Sequence, residues 1–288
     1  MGERSQKTQE IGLFIRYGKI ISLGGGMQKK MKAVVPIAFL VFLWPALSWA
    51  QFDLFNAEDY NIEVEGRYWY PKLASTIKIV ETSIGTEFDA VKDLGFDEEK
   101  GFGEGRVQIK FFNRHKFNFS YLPLKWDGDT VLTRTIQFSG QTYTAGTRVQ
   151  SEADLKLFKG GYELDFIVGK YGFLGGTLDV MVTNAHVQLK APSAALDEKE
   201  DFTLPIPMVG LIGRITPIKW VNLTAKVSGL PLGSYGHAFD AEAYLEINPI
   251  KYVGISAGYR YFSFLGQYDE NKLDFKLDGP FAALKVRF

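Results

Sequence analysis

With no cysteine in its 288 residues, the chain can form neither disulfides nor a thiolate metal site. The search for chemistry starts from its three histidines. Ser234-Tyr-Gly-His237, followed by Asp240, holds a nucleophile, a base and an acid, the components of a hydrolase. Ser234 and His237 are crowded into one tight connection, however, and no signature joins them. His115 lies between Arg114 and Lys116 in a turn, and His186 stands near Asn184 towards the end of a strand. The segment DAVKDLGFDEEKGFGEG, within 87–104 and just past it, carries Asp89, Asp93, Asp97, Glu98, Glu99 and Glu104 without the spacing of a calcium loop. It reads as a solvated outer loop; the alternative is divalent-cation bridging to lipid phosphates. Gly101-Phe-Gly-Glu-Gly105 has no lysine and no following helix, so it is not a phosphate loop. The expectation is therefore no enzyme, no cofactor, no metal and no catalytic residue.

The remaining titratable residues follow a pattern, and its period is two. Ile62, Val64, Gly66, Tyr68 and Tyr70 alternate with Glu63, Glu65, Arg67 and Trp69. Val107, Ile109 and Phe111 alternate with Arg106, Gln108 and Lys110, and Phe239 to Ile247 alternate with Asp240, Glu242, Tyr244 and Glu246. Val253 to Tyr261 do the same with Gly254, Ser256, Gly258 and Arg260. These are one-sided strands. Aromatics at 15% and 30 glycines also favour strands and tight turns. Strands are predicted near 61–71, 104–113, 116–138, 142–168, 172–189, 203–216, 219–231, 236–248, 251–265 and 272–288. Short turns at 113–116, 169–172, 216–219 and 248–251 alternate with connections that are mostly longer. All the short turns then fall at one end of the sheet, as in an up-and-down transmembrane β-barrel. The predicted fold is all-β, with about ten strands; eight is one alternative, and twelve follows if 75–82 and 86–94 also span.

The first fifty residues differ from the rest. From Met27, Lys29, Lys30 and Lys32 precede the apolar run Ala33 to Leu47, and Ser48-Trp49-Ala50 fits a cleavage site before Gln51. This predicts a signal peptide at 27–50 cleaved after Ala50. Residues 1–26 are expected to be an upstream extension outside the real protein, with 51–60 a short periplasmic stretch and 61–288 the barrel. No apolar run of about 18 residues follows Ala50, so no membrane helix is expected. The net charge of zero offers no sign of a nucleic-acid partner.

Alternation alone does not tell lipid from lumen, but the composition of the polar face does. That face is small-residued (Gly254, Ser256, Gly258, Asn222, Thr224, Ser228) and balanced in charge. Glu63, Glu65, Glu163, Asp165, Asp179, Asp240, Glu242 and Glu246 oppose Arg67, Arg106, Lys110, Arg214, Lys226, Arg260, Lys285 and Arg287. A confined lumen of paired charges needs that balance. Trp220 and Tyr252, each just past a Pro-Ile-Lys turn, suit a membrane-interface belt. The chain ends on Leu284-x-Val286-x-Phe288. At Asp278-Gly279-Pro280 the apolar parity changes from odd (Leu273, Phe275, Leu277) to even, which predicts a bulge.

With the export signal and the strand pattern, this ending resembles small bacterial outer-membrane β-barrels of the OmpA and OmpW kind, over roughly residues 61–288. The resemblance implies that Leu284, Val286 and Phe288 are read by the barrel-assembly machinery, with periplasmic chaperones acting before it. It also implies contact with outer-membrane lipid and lipopolysaccharide. No peptidoglycan-binding domain follows the barrel, so that role does not carry over. The expected function is a barrel with a narrow, ion-pair-filled lumen and a structural or surface-interaction role. A narrow solute channel and a rim-located hydrolase are the alternatives.

Overall fold

A computed structural model of the chain describes residues 60–81, 84–231, 236–268 and 271–288. The expected extension 1–26, the signal peptide 27–50 and all but the last residue of 51–60 lie outside the described residues. Fourteen strands are described: β1 Ile62–Trp69, β2 Lys72–Glu81, β3 Ile84–Asp89, β4 Phe102–Phe111, β5 His115–Val131, β6 Ile136–Phe138, β7 Gln141–Tyr143, β8 Arg148–Gly169, β9 Gly172–Ala191, β10 Leu196–Ile218, β11 Val221–Pro231, β12 Gly236–Ile250, β13 Val253–Tyr268 and β14 Asn271–Arg287. Ten of them form an antiparallel ring in the order β1-β4-β5-β8-β9-β10-β11-β12-β13-β14, closed by β14 on β1. Closure leaves the ring no unpaired edge.

The ring has ten strands and not twelve because of how β14 is shared. Its second half, Phe281–Arg287, pairs with β1, and its first half, Lys272–Asp278, pairs with β2. The chain bends between these partners at Tyr70-Pro71, where the Tyr70 amide donates to the Pro280 carbonyl at 3.0 Å. A Cβ on Gly279 would lie 2.2 Å from the Tyr70 carbonyl oxygen, so only glycine fits beneath the bend. The β2–β3 hairpin therefore extends the wall beyond β1 and adds no strand to the ring. The other long connection holds the hairpin β6–β7.

Short turns gather at one end of the barrel and long loops at the other. Phe112 and Asn113, with φ of 51° and 60°, turn the chain from β4 into β5. At the long-loop end, β9 and β10 run on to Ala191 and from Leu196, joined by a short 3₁₀ turn at Pro192–Ala194. The sequence leaves 190–201 as a connection between the strands expected at 172–189 and 203–216. Asp197 to Phe202 are mostly polar and show no apolar alternation, but pairing with β9 holds them in the sheet.

The interior has two levels, and this corrects the predicted bulge. β13 and β14 pair in one unbroken register from Val253–Val286 to Tyr268–Asn271. Leu277, Phe281, Ala283, Lys285 and Arg287 are all buried, so odd positions of β14 face inward along its length. The facing does not change; the polarity does. Near the short turns the inside is charged and the outside apolar, whereas towards the long loops Leu122, Leu124 and Trp126 are buried while Lys125 and Asp127 stand outside. The barrel is thus inside-out in its lower part and ordinary in its upper part.

Candidate functional site

The polar lower interior is built by inward positions of eight or more strands. On β14, Arg287 Nε is 2.6 Å from Glu63 and its Nη2 is 2.6 Å from Glu246. Lys285 Nζ reaches Glu246 at 2.9 Å, Glu65 at 3.3 Å and Glu63 at 3.4 Å. Tyr60, just before β1, folds beneath the barrel, its ring 4.2 Å from Lys110 Nζ and 5.2 Å from the Arg287 guanidinium. Alongside, Lys116 bridges Asp165 at 2.8 Å and Glu163 at 3.0 Å.

Higher up, the pairs cross the lumen. Glu242 is shared by Arg67 at 2.7 Å and Arg106 at 3.0 Å. Arg67 also contacts Glu65 at 2.8 Å and lies 3.7 Å from the Phe281 ring centre. Arg106 contacts Glu104 at 2.8 Å. Arg260 grips Asp240 through Nε at 2.9 Å and Nη2 at 3.0 Å, touches Glu104 at 3.3 Å, and lies over Trp69 at 4.9 Å. Lys159 extends the lattice from Asp240 at 3.0 Å to Asp179 at 3.5 Å, where Lys226 joins at 3.1 Å. Strands from opposite sides of the ring are tied together by charge-assisted hydrogen bonds.

The Arg260–Asp240 pair is a diagonal contact. The hairpin turn at 248–251 predicts direct opposition of these two residues, yet the register places Glu242 opposite Arg260. The turn closes between Ile250 and Val253, later than expected, and after a one-residue shift between Ile247 and Ile250 the pairing still stands two residues from the expected one. Arg260 is long enough to reach the diagonal carboxylate, which leaves Glu242 to Arg67 and Arg106.

Three lumen charges were absent from the sequence assignment: Glu104, Lys116 and Lys159. Glu104 shares its parity with Arg106 and Lys159 with Glu163, but Glu104 also falls in the acidic segment. Lys116 falls in the turn expected at 113–116, although β5 begins at His115 and buries it. Within the lattice lies a cavity of about 90 Å³, lined in part by Arg106, Lys159, Asp179, Lys226, Ser228 and Asp240. It has room for a few waters. Ser228 is buried there, and its hydroxyl has no hydrogen-bond partner among the described residues.

Above the charges, apolar side chains and part of the acidic loop pack into the barrel. Phe88, Ala90, Leu94 and Phe96 pack into the mouth with Trp126, Leu132, Ile136, Tyr143 and Val149. The loop is therefore not wholly solvated: Asp97, Glu98 and Glu99 are exposed, but Asp93 and Glu104 are buried. Asp93 pairs with Arg134, and that bond raises the Arg134 pKa. Ser151 Oγ donates to the Leu94 carbonyl at 2.5 Å. Gly95, with φ of +74°, makes the bend that aims Leu94 and Phe96 inward. Burial pushes the Tyr143 phenol up to about 12, so it stays protonated and donates to the Leu189 carbonyl at 3.0 Å.

The histidines do not converge. His115 Nδ1 is 2.5 Å from the Tyr162 hydroxyl, and His186 Nδ1 is 2.7 Å from Asp201. His237 is exposed on the outer face of β12, while Asp240 points inward to Arg260. Ser234 lies outside the described residues. Leu284 is exposed on the outside of β14, Phe288 is exposed just past its end, and Trp220 and Tyr252 are exposed at the short-turn end. The Phe288 amide donates to the Ile62 carbonyl at 2.8 Å, and its own carbonyl accepts from Asn61 at 2.8 Å.

A closed antiparallel ring with an apolar outer belt, a charged lower lumen and short turns at one end defines the class: the chain has the fold of a small outer-membrane β-barrel. No protein family and no curated protein matches the chain by sequence. Among solved structures it resembles the outer membrane protease OmpT of Escherichia coli, at 8% identity and a TM-score of 0.53 over 83% of this chain and 99% of that one. It also matches the translocator domain of the autotransporter NalP of Neisseria meningitidis (10% identity, TM-score 0.45, 90% and 99% covered). A third match is Neisserial surface protein A (9% identity, TM-score 0.33, 79% and 97% covered). At 8% identity the likeness to OmpT shows the fold alone and carries no reaction.

Proposed function

We propose that the protein is an integral barrel of the bacterial outer membrane with a closed lumen, exported by a signal peptide cleaved after Ala50. Its role is structural or one of surface interaction. The long-loop end faces outward beside lipopolysaccharide, and the short turns face the periplasm. Leu284, Val286 and Phe288 serve as the signal for the assembly machinery, after escort by periplasmic chaperones. The observation that carries the closed-lumen reading is the filling of both levels, by ion pairs below and by Leu94, Phe96 and their apolar neighbours above. A ten-strand ring stands near the size at which side chains fill the interior, far from the 16 or so strands of open porins.

The test is single-channel recording in a planar bilayer. A closed barrel gives no resolvable steps at low voltage; steady open conductance overturns the reading. A narrow channel is the second reading, favoured by the cavity of about 90 Å³ among the lumen charges. It gains if the unaltered barrel conducts and Arg106→Ala raises that conductance and its cation selectivity.

A further inference from the structure

The four short turns share a composition that the closed lumen does not require. Lys170-Tyr171, Lys219-Trp220 and Lys251-Tyr252 each place a lysine directly before an aromatic, and all six residues are exposed. The fourth turn carries Phe111 and Phe112, both exposed, beside Arg114. Lys170 Nζ stands 5.2 Å from the Tyr171 ring centre and Lys251 Nζ 5.7 Å from that of Tyr252. The turns join β4 to β5, β8 to β9, β10 to β11 and β12 to β13, so they occupy four successive corners of the ring, and Phe288 occupies the fifth. No aspartate or glutamate occurs in 111–115, 169–172, 217–221 or 248–253. The exposed acids gather at the opposite end, as at Asp97, Glu98, Glu99, Asp127 and Asp201. A solvated turn needs neither this uniform sign nor a neighbouring ring.

We infer that this rim is a docking surface for anionic glycerophospholipids of the leaflet that meets the short turns. The inference rests on the membrane reading above. Each aromatic sits at the boundary of the apolar belt, and each cation stands beside it at headgroup level, within reach of a phosphate. The occupant follows from charge and position: the rim is positive and continuous with the lipid-facing surface formed by Ile215, Leu223, Leu245 and Ile255. A soluble polyanion would match the charge but would leave the aromatic ring unused. The rim would thereby select anionic over zwitterionic headgroups and fix the depth of the barrel.

Trp220 supplies the probe in the chain processed after Ala50, which lacks Trp44 and Trp49, because Trp69 and Trp126 are 1% and 2% exposed inside the barrel. That processed chain is reconstituted in vesicles of phosphatidylcholine and phosphatidylglycerol, with brominated acyl chains on one lipid or the other. The Trp220→Phe protein supplies the background. Quenching of Trp220 then reports which lipid is its neighbour. Near an anionic headgroup each basic side chain contributes about 1 kcal/mol, roughly fivefold in relative affinity. The expected result at low salt is therefore about fivefold preference for phosphatidylglycerol beside Trp220. At 1 M salt the screening length is about 3 Å and the preference falls to about one. The protein carrying Arg114→Gln, Lys170→Gln, Lys219→Gln and Lys251→Gln loses it at low salt, whereas one carrying Lys125→Gln and Lys156→Gln at the other end keeps it. If the first variant does not insert, the salt series on the unaltered protein decides. Equal quenching by both lipids at low salt, or a preference that survives salt, overturns the inference and leaves the membrane reading standing. Quenching by neither lipid overturns both.

Discussion

Replacing Arg260 tests whether the lumen is a dry lattice or a wet passage. Its side chain is 4% exposed and makes two hydrogen bonds to Asp240 and one to Glu104, with Trp69 against its face. Arg260→Ala leaves Asp240 with Lys159 alone, and leaves Glu104 to Arg106 and the 4.0 Å contact with Arg67. Breaking a buried pair costs about 3–5 kcal/mol, because the surviving charge has lost its water. Lys159 supplies part of the missing attraction, so the lower half of that range is expected for Arg260→Ala. Asp240→Ala strips Lys159 as well as Arg260, and each retains one other carboxylate, Asp179 and Glu104; a cost of similar size follows. The double variant removes both ends of the bidentate contact and should lose about 1–3 kcal/mol less than the sum of the singles, within the usual coupling of contacting residues. The assay is urea unfolding of each protein refolded in lipid vesicles, followed by tryptophan fluorescence. Single losses under about 1 kcal/mol with no coupling are what screened, water-exposed pairs give. That result, with conductance in the parent, would refute the dry lattice and promote the channel.

Ala257 is exposed on β13 beside buried Ser256, so Ala257→Arg should lower stability in lipid by about 2–4 kcal/mol and Ala257→Leu by little; equal effects in the same unfolding assay would invert the faces. Deleting Phe288 removes the hydrogen bonds that tie the chain end to Ile62 and Asn61, and should cut the folded fraction in the outer membrane while export continues, as read by heat-modified gel mobility. Leu94→Asp places a charge in the apolar mouth and should open the 88–102 segment to added protease while the ring stays folded, with rapid cleavage measured by mass spectrometry. Asp93→Asn, which weakens the contact with Arg134, should do the same more mildly; resistance of both would mean that the segment is not what closes the mouth.

The barrel was legible in the sequence because strand periodicity is a local property. A residue's parity decides its side, so the outward set Ile62 to Tyr70 and the inward set Glu63 to Arg67 could be read without any contact being known. The ten ring strands and the four short turns follow from that periodicity and from turn chemistry. Much of the interior charge set was visible for the same reason. Three things depended on the folded ring. The pairing partner of each charge is set by register, and a turn that closes between Ile250 and Val253 put Glu242, not Asp240, opposite Arg260. The height at which the interior turns from charged to apolar depends on all strands together, so the run Leu273, Phe275, Leu277 read as a bulge when it is the apolar upper lumen. The fate of Asp93, Leu94 and Phe96 is decided by a wall contributed by β5 to β8, some 30 to 60 residues further along the chain. Local spacing carries facing; depth and partnership exist only once the ring has closed.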